Sequence, residues 1–212
     1  MYKYVISLGE DCFMRSLIDR FQIREKFKIR MPFDGSVHSY EDVCDLISTN
    51  FINYKTNITN YKDFNNIFIK KSINTITWNH EKTTDLESLI IQLDKRVDQF
   101  RNILNSGEKI LFLLHYKNAT LEFNYNLLED ALKIHYPNLQ YHILVFNNYH
   151  QHDYISQHEN KTYANIFWNS TNIDSTKIPI DFDYDKLNDD FVNQMYITPY
   201  GKEFSIKVLK II

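Results

Sequence analysis

Two cysteines, Cys12 and Cys44, and four glycines are all that the 212 residues contain of these types, and no Cys-x-x-Cys unit occurs. A structural zinc site of the usual thiolate kind is excluded on that ground, and a cytosolic setting disfavours a Cys12–Cys44 disulfide. Neither Gly-x-x-x-x-Gly-Lys nor Gly-x-Gly-x-x-Gly is present, so nucleotide binding has no motif behind it and no cofactor is expected. Positive charge is also short: 24 Lys and Arg face 27 Asp and Glu, net −3, which leaves no excess to neutralise a phosphate backbone. Nucleic acid is therefore not an expected partner. No run of 18 apolar residues exists and the Met-Tyr-Lys-Tyr opening lacks an apolar signal segment, so a cytoplasmic protein without a membrane partner is the expectation.

What the chain does contain is 43% hydrophobic residues, with 15 Tyr and 15 Phe, and a mean hydropathy of −0.43. That is enough for one sizeable core in a soluble fold, and no repeat or low-complexity linker divides it. We read residues 1–212 as a single α/β domain.

"KYVISL" (3–8) reads as a buried strand that stops at Gly9, and "DCFMRSLIDRF" (11–21) reads as a helix. Ser39 caps a second predicted helix, with Val43, Leu46, Ile47 and Phe51 as its buried stripe and Cys44 beside it in the core. Residues 52–66 read as irregular; "NIFIKK" (66–71) and "NTITWN" (74–79) read as a short hairpin. A capping-box pattern at Thr84–Glu87 opens a long helix that Gly107 ends. "KILFLLHY" (109–116), "QYHILVFNN" (140–148) and "YANIFWNS" (163–170) are predicted strands, with a helix over 124–136 that stops at Pro137. "DYDKLNDDFVNQMY" (183–196) reads as a helix, and "EFSIKVLKII" (203–212) as a strand or helix. Strand and helix alternation at this spacing predicts a three-layer sandwich around a mostly parallel sheet. Ligands of such sheets bind beyond the carboxyl ends of the strands, where Gly9 to Cys12, His115 to Asn118 and Asn147 to His150 fall.

Cys12 stands where the strand hands over to the helix. The unpaired amides and dipole of a helix N-terminus favour the thiolate, and the neighbouring carboxylates of Glu10 and Asp11 oppose it. His150, His152 and His158, with Asp153, sit in a polar run that reads as an exposed loop, so no metal site is expected there.

"VISLGEDCFMRSLIDRFQIREKFKIRMPFDG" (5–35) resembles the opening of a bacterial family of unknown function catalogued as papain-like cysteine peptidases. The matching pieces are Ser7-Leu8-Gly9-Glu10-Asp11-Cys12 and Pro32-Phe33-Asp34, followed by "ITWNHE", "DKRVDQF" and "KILFLL" in the family's order, so that the likeness spans residues 3–148 and leaves 149–212 as an extension. The chain departs from it at Gly35, where the family more often has Trp, and at Glu81, where a His-Asp pair becomes His80-Glu81. The resemblance implies a thiol hydrolase acting on an amide or isopeptide bond. Cys12 would be the nucleophile, His80 its partner and Asp34 the orienting group, with Gly9, Glu10 and Asp11 lining the oxyanion or supporting the site. His38 and His115 are the reserve bases. Two other classes stay open: an esterase or acyltransferase, against which the absence of any histidine after His158 counts, and a non-catalytic binding module in which Cys12 is structural.

Overall fold

The computed structural model describes residues 2–11, 14–15, 18, 30–60, 67–71, 75–78, 81, 83–116, 123–147 and 154–165. Numbered in chain order, the elements are β1 (Tyr4–Ser7), β2 (Ser36–Val37), α1 (Tyr40–Ser48), β3 (Ile58–Asn60), β4 (Phe68–Lys71), β5 (Thr75–Trp78) and α2 (Leu86–Leu104). They continue with β6 (Ile110–Tyr116), α3 (Tyr125–His135), β7 (Tyr141–Asn147), β8 (Tyr154–His158) and β9 (Lys161–Asn165).

Every side chain of β6 is buried, from Ile110 to Tyr116, which only a central strand covered on both faces can achieve. It lies between β1 and β7 in a five-stranded sheet of order β1-β6-β7-β9-β8, in which β1, β6, β7 and β9 run parallel and β8 pairs antiparallel with β9 at the edge. Pairing puts Ser7 opposite Leu113 and His115 opposite Phe146. One face, carrying Ile6, Leu8, Phe112, Leu114 and Val145, joins the main core; the other carries Val5, Leu111, Leu113 and Leu144 and is buried as well. The expected α/β fold with a mostly parallel sheet is observed.

Helices α1 and α2 follow their predicted stripes, except that α1 ends at Ser48 and leaves Phe51, predicted on its stripe, in the turn beyond it. In α1, Ser39 accepts from the Asp42 amide while Asp42 accepts from the Ser39 amide, the reciprocal cap the sequence pattern implies. Val43, Cys44, Leu46 and Ile47 are buried. In α2, Leu89, Leu93, Val97, Phe100, Ile103 and Leu104 face inward, and the N-cap is Asp85 rather than Thr84, its carboxylate accepting from the Ser88 amide at 2.7 Å. Arg101 ties the end of α2 to the turn after α1, donating to the Asn50 side chain and carbonyl at 2.8 and 2.7 Å. Asn50 and Phe51 take positive φ there, which lets the chain reverse and drives Phe51 against Phe33 and Phe100.

Three expectations change. A second sheet, antiparallel with order β2-β5-β4-β3, is built from the predicted hairpin plus two strands that the sequence reading did not separate from loop. Residues 52–66 are thus not all irregular: β3 is only three residues long, with Ile58 its one buried side chain, too short for an alternation to show. In the His-rich run, residues 154–158 form the edge strand β8 rather than a loop; Ser156, Gln157 and His158 are exposed. His150, His152 and Asp153 lie outside the described residues, as do the elements predicted over 183–196 and 203–212. Among the described residues no helix is long and apolar enough to cross a membrane, and no group of His, Cys, Asp and Glu could hold a metal ion.

Candidate active site

Beyond the end of β1 the pairing with β6 persists: the Leu8 amide donates to the Leu113 carbonyl at 2.8 Å and the Glu10 amide to the His115 carbonyl at 3.3 Å. Gly9 lies inside this stretch. A Cβ built on it would meet Met14 Cγ at 3.1 Å, the Asp11 carbonyl oxygen at 3.3 Å and His115 Cβ at 3.4 Å, so a larger residue would press on these neighbours where the loop lies close to the β6 terminus. Gly9→Ala is expected to lower stability by about 1–3 kcal/mol through overpacking, measurable as a reduced urea midpoint with unchanged slope.

The close approach brings Asp11 to His115. His115 Nδ1 and Asp11 Oδ1 are 3.2 Å apart, with the imidazole buried and the carboxylate partly so. An ionised carboxylate can only accept, so Nδ1 carries the proton and donates it. The imidazole is thereby fixed in one tautomer and one orientation, which is the service an acidic residue performs for a catalytic histidine.

Glu10 points elsewhere. Its Oε1 accepts from the Tyr40 amide at 3.3 Å, at the first turn of α1, and its carbonyl accepts from the His38 amide at 3.2 Å. The Glu10 amide is already donated to the His115 carbonyl, so the expectation that it serves an oxyanion is replaced by a place in the β1–β6 ladder.

The other predicted site residues divide. Asp34 is buried in its own turn: Oδ2 accepts from the Met31 amide at 2.8 Å, and its own amide donates to the Met31 carbonyl at 3.2 Å. His38 is buried too, with Nδ1 3.1 Å from Ser36 Oγ and its ring 5.1 Å from that of Phe33. Cys12 and His80 lie outside the described residues. Cys44 is a core thiol: burial is the main reason it is pushed up to about 12, with the Tyr40 hydrogen bond opposing and the Glu41 charge adding.

In the sequence Glu81 stands out only as a departure from the resembled family, and Arg96 lies within the "DKRVDQF" piece of that likeness. They form a buried, two-pronged ion pair, Arg96 Nη1 to Glu81 Oε1 at 2.8 Å and Nη2 to Oε2 at 2.6 Å. Burial works against the Arg96 charge, yet Glu81, with Tyr54 and Asp34 adding, holds the guanidinium above its ordinary value. Tyr54 meanwhile donates to the Pro32 carbonyl at 2.8 Å, linking this cluster to the Pro-Phe-Asp turn. One signal for the pair was available: Arg96 falls three residues after Leu93 and four before Phe100, on the apolar stripe, where a charge needs a partner.

No protein-family model, curated protein or solved structure matches the chain.

Proposed function

We propose that the protein is a thiol-dependent hydrolase of amide or isopeptide bonds, with Cys12 as nucleophile and His115, oriented by Asp11, as its acid and base. The observation that carries this reading is the Asp11–His115 hydrogen bond at the carboxyl end of two parallel strands, with Asp11 immediately before Cys12 in the chain. His115 thus takes the partner role that the family resemblance gives to His80.

In this scheme His115 Nε2 takes the thiol proton, the sulfur attacks the carbonyl carbon, and collapse of the tetrahedral species breaks the C–N bond as Nε2 protonates the leaving amine. Water then gives a proton to His115 and adds to the thioester; the C–S bond breaks, releasing the acid and restoring the thiol. Asp11 keeps its proton-free state throughout and holds the ring that alternates. The fold that accompanies this reading is a three-layer sandwich, supported by burial on both faces of the five-stranded sheet. A cytoplasmic setting belongs to the same proposal, because it keeps the thiol reduced.

Turnover of a panel of fluorogenic peptidyl amides and acyl esters tests it. Amide cleavage that falls by about 10³-fold or more in Cys12→Ala is expected. Cleavage that survives in Cys12→Ala overturns the proposal, and Cys12-dependent turnover of esters alone moves the assignment to the esterase or acyltransferase class.

A further inference from the structure

Resting on the thiol-hydrolase reading, we infer that Glu10 is a positioning residue that fixes the Asp11–His115 pair against helix α1. From sequence alone two carboxylates beside a thiol oppose its ionisation, and Glu10 is one of them. The geometry assigns it a different task. This residue holds two other segments: its amide holds the end of β6 at His115, and its carbonyl and carboxylate hold the His38 and Tyr40 amides where the chain enters α1.

The Tyr40 amide is one of those that an α-helix leaves without an intrahelical acceptor at its first turn. The capping box formed by Ser39 and Asp42 satisfies the Asp42 and Ser39 amides, and Glu10 supplies the acceptor for the next. The bond therefore stabilises α1 and, through the Glu10 backbone, sets where the following residue lies. That residue is Asp11, whose carboxylate must reach His115. A misplacement of about 1 Å at such a point lowers reactivity by up to about 100-fold.

The test is the rate of Cys12 alkylation by iodoacetamide at neutral pH in the wild type and in Glu10→Gln, Glu10→Asp and Glu10→Ala, with folding checked by circular dichroism. Glutamine keeps the reach and the accepting oxygen without the charge; aspartate keeps the charge and loses the reach. Positioning predicts that Glu10→Gln stays close to wild type, while Glu10→Asp and Glu10→Ala fall by roughly 10- to 100-fold. Should Glu10→Ala fail to fold, the contrast between Gln and Asp still decides. Rates in Glu10→Gln and Glu10→Ala above wild type would show that Glu10 represses the thiolate, and a fall in Glu10→Gln with none in Glu10→Asp would show that its charge acts; either overturns the inference, as would four equal rates above that of a free thiol. Wild-type Cys12 reacting only as a free thiol instead overturns the underlying reading, and the inference with it.

Discussion

Arg96→Met will destabilise the fold by about 3–5 kcal/mol, because it leaves the Glu81 carboxylate buried without its guanidinium. Both side chains are almost fully inside, at 4% and 1% exposure, so solvent screens neither. For a chain of this length such a loss lowers the melting temperature by roughly 10 °C. Most of that loss is the penalty of the stranded carboxylate. The double variant Arg96→Met, Glu81→Leu, which removes both charges, should therefore recover much of the stability when compared with the single variants by chemical denaturation; a double variant as unstable as Arg96→Met would show that packing of the long arginine side chain, not its charge, is what matters.

The second large effect concerns chemistry. On the proposed mechanism His115→Gln removes the group that exchanges protons with Cys12 and with the leaving amine, and Cys12-dependent turnover should fall by about 10²–10⁴-fold. Asp11→Asn should also lose activity: its amide nitrogen can donate to Nδ1 and so favour the opposite tautomer, placing the proton on the nitrogen that must accept one. His80→Gln should leave turnover near the wild-type value. Steady-state kinetics on the best amide substrate measures all three, and activity retained in His115→Gln but lost in His80→Gln would return the catalytic role to His80.

Much of the fold was legible because its signals are local. The uninterrupted apolar run of β6, the spacing of Leu89, Leu93, Val97 and Phe100 in α2, and the Ser39–Asp42 cap each appear within one segment. The antiparallel sheet was harder, since β2 has two residues and β3 three, too short to show an alternation, and β2 exists only through pairing with the distant β5, Ser36 against Trp78. The same distinction holds at the site. The end of the first strand just before Gly9 could be read directly, and so could His115 at a strand end. That Asp11 turns to His115 across 104 positions, and Glu10 to Tyr40 across 30, depends on the register of β1 against β6 and on where α1 begins. Asp34 shows the converse: a carboxylate in a suggestive motif that closes its own turn.

Activation of the Cys12 thiol by the Asp11–His115 pair, as proposed, is read out by the pH dependence of iodoacetamide alkylation in the wild type and in His115→Gln. Cys44 does not interfere, since burial pushes its thiol up to about 12. A wild-type inflection below the ~8.5 of a free cysteine and a return toward that value in His115→Gln are expected. A wild-type inflection at or above ~8.5, or one that does not move when His115 is replaced, would contradict it.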